Sequence, residues 1–273
     1  MSGDKLRLTI LGCGSSPGTP RITGDWGACD PHEPRNRRTR AAALVERIAP
    51  DGRTTRVAID TGPDFRQQML TVPPRPLDGV IYTHPHADHI HGIDDLRSFV
   101  LDQRRLMPIF ADRSTLARLK DGFRYCFETP PGSNYPPILR AHQFEHDDDV
   151  VVEGAAGPLR LTPLPQFHGD IVSLGFRVGS IAYCSDVSGF PETTLPLLED
   201  LACLVIDALQ YRLHPSHFSL GEALEWIDRL RPARAILTHM HIPLDYRTVL
   251  TETPPRVEPA YDGMVVELPL DED

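Results

Sequence analysis

Long apolar runs, lysine and clustered cysteine are what this 273-residue sequence has least of. No apolar stretch approaches the ~20 residues a membrane-spanning helix needs, so no membrane partner is expected. The segment Met1–Leu11 lacks the apolar region of a secretory leader, which makes the expected location cytoplasmic. Five cysteines (Cys13, Cys29, Cys126, Cys184 and Cys203) are odd in number and widely spaced. That excludes a small disulfide-stapled domain and predicts reduced thiols. Excess positive charge is also missing. Lys+Arg total 28 against 38 Asp+Glu, a formal net charge of −10, which speaks against nucleic acid as the main partner. There is no heptad, short repeat or low-complexity block. What remains is ordinary: 40% apolar and 24% charged residues, enough for a packed core. One domain over residues 1–273 is the simplest organisation.

Short apolar runs bounded by turn residues predict strands at Arg7–Leu11, Ala41–Glu46, Val57–Asp60, Gly79–Tyr82, Pro108–Phe110 and Val150–Glu153. Further strands are predicted at Leu159–Thr162, Val172–Val178, Ile181–Cys184, Leu204–Ile206, Ala235–Leu237 and Met264–Glu267. Helical patterns fall at Asp64–Leu70, Ile93–Leu101, Ser114–Phe123, Leu195–Leu201 and Leu220–Leu230. In the last, Leu220, Ala223, Leu224, Ile227 and Leu230 draw one apolar stripe, with Ser219 as N-cap and Glu222 as its capping-box partner. The segment Glu128–Pro137 has four prolines and reads as a stiff loop.

The informative segment is Thr83–Gly92, THPHADHIHG. His84, His86, Asp88 and His89 follow a predicted strand at H-x-H-x-D-H spacing. In an extended chain His84, His86 and Asp88 share one side, and a turn lets His89 join them. Imidazole nitrogen and carboxylate oxygen suit Zn²⁺, Mn²⁺ or Fe²⁺. A solvated polar turn has no need to gather three imidazoles around one acid, so the segment reads as a metal site.

With these residues the sequence resembles the metallo-β-lactamase superfamily, whose signature is H-x-H-x-D-H. The resemblance runs along nearly the whole chain. Asp60 in IDTGPD, His168 in PQFHGD, Asp186 in YCSDVSG and His239 in AILTHM match the other motifs in order. It implies an α+β chain of four-layer αββα type holding two divalent metal ions, zinc or manganese, with iron also compatible. One ion would be held by His84, His86 and His168, the other by Asp88, His89 and His239, with Asp186 bridging both. Ions ~3.5–4 Å apart share a hydroxide and clamp the attacked and leaving oxygens. Asp60 either orients a ligand such as His84 or His86, or caps a turn.

Gly12–Pro20 (GCGSSPGTP) resembles the opening of the phosphodiesterase branch, which includes transfer-RNA 3′-processing endonucleases and a cyclic-phosphate phosphodiesterase of phosphonate breakdown. Its Ser15 and Ser16 would bind substrate phosphate, although the glycines suit a tight turn equally well. RRTRAAALV, DTGPDFRQQ, LTHMHIPLDY and HPSHFSLGEA look like the cyclic-phosphate enzyme, and His217 matches its histidine beside the scissile phosphate. The resemblance therefore implies hydrolysis of small nucleotide-like or cyclic phosphodiesters by metal-bridged hydroxide, with Asp88 and Asp186 in the machinery and His217 assisting the leaving group. Alternatives are a transfer-RNA processing nuclease, a thioester or lactone hydrolase, and a nucleotide-binding module with vestigial activity. Related proteins carry a structural zinc on a cysteine cluster. Here Cys29, His32 and His241 fall short of a tetrahedral set, so no structural zinc is expected. Arg35, Arg37, Arg38 and Arg40 read as a solvated face, with a phosphate or homodimer contact as the alternative. His214 is expected at the surface, and His142 and His146 in a solvated loop.

Overall fold

Val-, Ile- and Leu-rich runs pair into two seven-stranded sheets in the computed structural model, which describes residues 3–270. The first contains β1 (Lys5–Gly12), β2 (Ala42–Ile48), β3 (Thr54–Ile59), β4 (Gly79–Ile81), β5 (Met107–Ala111), β6 (Leu139–Gln143) and β14 (Met264–Pro269). Its order is β14-β1-β2-β3-β4-β5-β6. The second contains β7 (Val150–Val152), β8 (Leu159–His168), β9 (Ile171–Val178), β10 (Ile181–Cys184), β11 (Cys203–Asp207), β12 (Arg234–Thr238) and β13 (Val257–Pro259). Its order is β13-β12-β11-β10-β9-β8-β7.

Both sheets are mixed. β2 and β3 are antiparallel, and β3 to β6 run parallel. β8, β9 and β10 form an antiparallel meander, and β10 to β13 run parallel. Parallel neighbours need crossovers. In the first sheet these contain α1 (Phe65–Met69), α2 (Ala87–Ile90), α3 (Leu96–Gln103), α4 (Arg113–Gly122) and α5 (Arg124–Phe127). In the second they contain α6 (Leu220–Leu230) and α7 (Tyr246–Glu252). Strands such as β11, buried at all five residues, explain why the sequence shows continuous apolar runs rather than alternation.

Contacts group the chain into two compact units, residues 1–9, 42–160 and 265–273, and residues 10–41 and 161–264. Each is assembled from separated segments, so no linker marks a boundary in the sequence. In the first unit an ion-pair ladder crosses the sheet. Buried Arg56 meets Glu46 at 2.9 Å, Glu46 lies 3.8 Å from Arg7, and Arg7 bonds Glu267 at 2.8 Å. In the second, α6 has the expected boundaries and a complete Ser219–Glu222 capping box, with Leu220, Ala223 and Ile227 buried.

Several expectations are corrected. β6, β13, α2, α5 and α7 are additional elements. The polar LRAHQ of β6 reads as a loop because it is an edge strand with mostly exposed side chains. His142 is therefore a strand residue stacked on Phe110, not part of a loop. β8 continues six residues beyond Thr162 despite Pro163 and Pro165, since the neighbour on its other side is the three-residue β7. Leu195–Leu198 forms only a 3₁₀ turn.

Candidate metal centre

In the first unit the donors cluster where two adjacent parallel strands end, β3 running into Asp60 and β4 into Thr83 and His84. The chain stays extended only as far as His86, which caps α2, so Asp88 and His89 project from a helical turn rather than from an alternating strand. His84 and His89 are fully buried, Asp88 is half-buried and His86 is exposed. His84 Nε2 and His86 Nδ1 face each other at 3.0 Å. Asp60 adopts a left-handed backbone (φ 67°), uncommon for a residue with a side chain. Its Oδ2 accepts from His89 Nδ1 at 2.7 Å and from the Thr83 hydroxyl at 2.8 Å, and its Oδ1 accepts from Thr83 N–H at 2.8 Å. The Thr83 hydroxyl, having donated to Asp60, accepts from His84 Nδ1 at 2.9 Å. Asp60 thus orients His89 directly and His84 through Thr83. Burial pushes its carboxyl above the usual range, against the pull of His89 and Thr83. Gly92 closes the turn with its N–H on the Thr61 carbonyl at 2.7 Å. A Cβ there would stand 2.1 Å from the Gly62 carbonyl oxygen.

In the second unit the parallel strands β10, β11 and β12 end side by side, which brings Asp186, Asp207 and His239 to one rim. Asp186 (φ 53°) and His239 (φ 56°) share the left-handed backbone of Asp60, so three motif residues hold conformations that cost of order 1–3 kcal/mol each. His239 Nε2 lies 3.2 Å from Asp186 Oδ1, and His168, ending β8, has its Nε2 3.9 Å from the same oxygen. His168 Nδ1 donates to the Ser216 carbonyl at 2.6 Å.

His217 joins this group. Its ring stacks on His239 with centroids 4.7 Å apart and stands edge-on to His168 at 4.7 Å. Its Nδ1 donates at 2.6 Å to Asp207 Oδ2, which also accepts Val187 N–H at 3.0 Å. Asp207, fully buried, is the residue that the sequence reading missed. The pattern that marks Asp60, an acid closing an apolar strand, recurs there and could have found it.

The donor chemistry fits divalent cations. In His84, His89 and His168 the Nδ1 proton is taken by a protein oxygen, which turns Nε2 into the ligand atom and fixes the ring. Within the second unit, donor atoms of His168, Asp186 and His217 lie within 4.8 Å of one another, as do those of Asp207, His217 and His239. Such histidine and carboxylate sets suit zinc, manganese or iron.

The other singled-out residues lie as follows. Ser15 is buried, its hydroxyl 2.8 Å from His241 Nδ1, whereas Ser16 is exposed. Gly14 lies where a Cβ would meet Arg38 Cβ and the Thr39 carbonyl at 2.9 Å, a close approach of backbones that requires glycine. Arg38 is not on a solvated face. It is 2% exposed and donates to the Leu244 carbonyl at 2.7 Å and Asn36 Oδ1 at 3.2 Å, with Cys29 Sγ 3.8 Å away. His241 is bonded to Ser15 and Arg21, and His32 is exposed. Burial, then the Arg21 guanidinium, hold His241 down at about 4. His214 is exposed as expected. Burial raises all five thiols, Cys126 and Cys203 to about 11, which leaves none activated as a nucleophile. No helix among the described residues is long and apolar enough to cross a membrane.

Comparison with known proteins agrees with this geometry. The beta-lactamase superfamily domain matches residues 55–240, a span that includes every donor named above. A crystal structure described as a new diphosphatase from the PhnP family is 32% identical with a TM-score of 0.86, covering 97% of this chain and 98% of that one. Zn²⁺-bound PqqB from Methylobacterium extorquens shares the fold, with a TM-score of 0.72 at 17% identity over 96% of this chain and 100% of its own. An octanoyltransferase of Porphyromonas gingivalis is 32% identical over 264 residues, 95% of this chain. The chain spans about half of that protein's length, 51%. The chain belongs to the beta-lactamase superfamily, with its α+β metallo-β-lactamase fold.

Proposed function

We propose that the chain is a metal-dependent hydrolase that uses two divalent ions to cleave small nucleotide-like or cyclic phosphodiesters or a related diphosphate linkage. The observation that carries the reading is the Asp207–His217 pair beside His168 and His239. Cleaving an alkyl phosphoester releases a strongly basic alkoxide, which an oriented imidazole can protonate. A thioester releases a weakly basic thiolate that needs no such donor. The 32% identity to a PhnP-family diphosphatase supports the same substrate class.

His84, His86 and His168 would hold one ion and Asp88, His89 and His239 the other, with Asp186 shared between them. When bound, the ions supply positive charge to the phosphoryl oxygens and an activated water. The remaining work belongs to the chain. Asp60 and Thr83 keep His89 and His84 in one tautomer, and the Ser216 carbonyl does the same for His168. Asp207 holds Nδ1–H of His217, so that its Nε2 carries and delivers the proton. A small anionic substrate, rather than nucleic acid, agrees with the net charge of −10.

The test is turnover by stripped protein reloaded with Zn²⁺ or Mn²⁺. Substrates are bis(p-nitrophenyl) phosphate, a dinucleoside diphosphate, a lactone and an octanoyl thioester, the last because of the half-matched octanoyltransferase. Metal-restored phosphoester turnover that Asp186→Ala abolishes is the expected result. Turnover of the thioester or lactone alone would overturn the substrate class and leave the hydrolase fold standing. Two bound ions without any turnover would favour the binding-module alternative.

A further inference from the structure

The loop after the glycine-rich turn contributes no metal donor, yet it presents a cation in a constructed position. Arg21 N–H donates to the Asp25 carbonyl at 2.9 Å, and Gly24 N–H returns to the Arg21 carbonyl at 2.8 Å, closing a tight turn. Ala28 N–H donates to the Ile242 carbonyl at 3.0 Å, tying the loop to the segment that follows His239. From this turn Arg21 Nη2 reaches His241 Nε2 at 2.6 Å, and Nη1 reaches Asp25 Oδ2 at 3.2 Å. A guanidinium keeps its protons, so His241 Nε2 must be the acceptor and its Nδ1–H must donate to Ser15 Oγ at 2.8 Å. Ser15 N–H in turn bonds the Met240 carbonyl at 3.3 Å, and Met240 N–H bonds the Cys13 carbonyl at 2.8 Å. The chain Ser15–His241–Arg21 is thereby fastened to the strand end that carries His239.

Two features of Arg21 point to an anionic ligand. Its shortest contact is to a neutral ring, which orients the fork without cancelling its charge. Its only carboxylate contact among the described residues is with Asp25, and the two side chains are 42% and 46% exposed. An ion pair that wet holds its partners weakly and exchanges readily for a better-matched anion.

We infer that Arg21, positioned by His241 and Ser15, binds a second anionic group of the substrate, a phosphoryl or carboxylate group beside the one being hydrolysed. The inference rests on the phosphoester reading above and names the residue that selects within that class.

The test compares metal-loaded wild type, Arg21→Ala, Arg21→Lys and Ser15→Ala on bis(p-nitrophenyl) phosphate, which has one phosphoryl group, and on diadenosine diphosphate, which has two. Removing a charge-assisted hydrogen bond should lower kcat/KM for the diphosphate about 10- to 100-fold. The bis(p-nitrophenyl) phosphate value should stay within about twofold. Arg21→Lys keeps the charge without the fork and recovers part of the loss, and Ser15→Ala gives a smaller loss on the diphosphate. Calorimetric titration with methylenediphosphonate, which is not hydrolysed, should show at least tenfold weaker binding in Arg21→Ala. Equal losses on both substrates, or unchanged methylenediphosphonate affinity, would overturn the inference. A wild type that hydrolyses neither substrate while Arg21→Ala still weakens the diphosphonate supports the anion subsite and overturns the phosphoester reading instead.

Discussion

Replacing Asp207 by asparagine keeps the shape of a fully buried side chain and removes only its charge. In the native protein Oδ2 accepts from His217 Nδ1 at 2.6 Å and from Val187 N–H at 3.0 Å. An amide oxygen can still accept both, so the fold should tolerate the change. What is lost is the preference of the site for an imidazolium. Hydrogen bonds to charged groups contribute about 1.5–3 kcal/mol against 0.5–1.5 for neutral ones, so about 1–1.5 kcal/mol disappears. That is about a tenfold smaller share of His217 ready to donate a proton. Deleting the donor altogether, in His217→Ala, should cost the 10²–10⁴ typical of general-acid catalysis. The assay is kcat/KM across phosphodiesters whose leaving groups run from p-nitrophenol to a simple alcohol. Asp207→Asn should slow the alkyl esters about tenfold and leave the p-nitrophenyl ester within about threefold, since that leaving group departs without a proton. A loss that is the same for every leaving group would refute the assignment and make the pair a structural or metal-holding element.

Three further outcomes follow from the packing. Glu46→Ala leaves the buried Arg56 guanidinium without its carboxylate partner and should cost about 3–5 kcal/mol in urea unfolding, whereas a loss below about 1 kcal/mol would show that Arg56 escapes to water. Asp262, its carboxyl pushed up to about 6 by burial against bonds from Thr39 and Cys13, binds a proton more tightly when folded. Its stabilising contribution is complete below the unfolded carboxylate value near 3.9 and is lost as pH rises through about 6, about 3 kcal/mol in all. The wild-type stability minus that of Asp262→Asn should fall by this amount between pH 4 and 7, and a flat difference would contradict the assignment. Ser219→Ala removes one arm of the capping box and should cost about 1 kcal/mol, with faster amide exchange in the first turn of α6.

How much could be read in advance depended on how local each feature is. The H-x-H-x-D-H run places four donors within six residues, so residue types and spacing reveal the chemistry without a fold. Helix α6 was legible for the same reason: its cap, its stripe and its ends lie in one stretch. Strand β6 was not, because an exposed edge carries no apolar run. Arg38 was read as a surface charge because nothing near it in sequence shows the carbonyl of Leu244 that receives it, 206 residues away.

The sequence by itself determined which atoms are available to hold cations, that they follow strand ends, and the family to which the chain belongs. The tertiary structure decided how each donor is used. The bond that sets the tautomer of His89 comes from Asp60, 29 residues earlier, and the one that aims His217 comes from Asp207, across ten residues that include the end of one strand and the approach to a helix. Hydrogen bonds of 2.6–2.9 Å form only between groups that sheet pairing has already brought together, and pairing joins strands far apart in the chain. Ligand identity is therefore carried by spacing, and ligand orientation by the order of the strands.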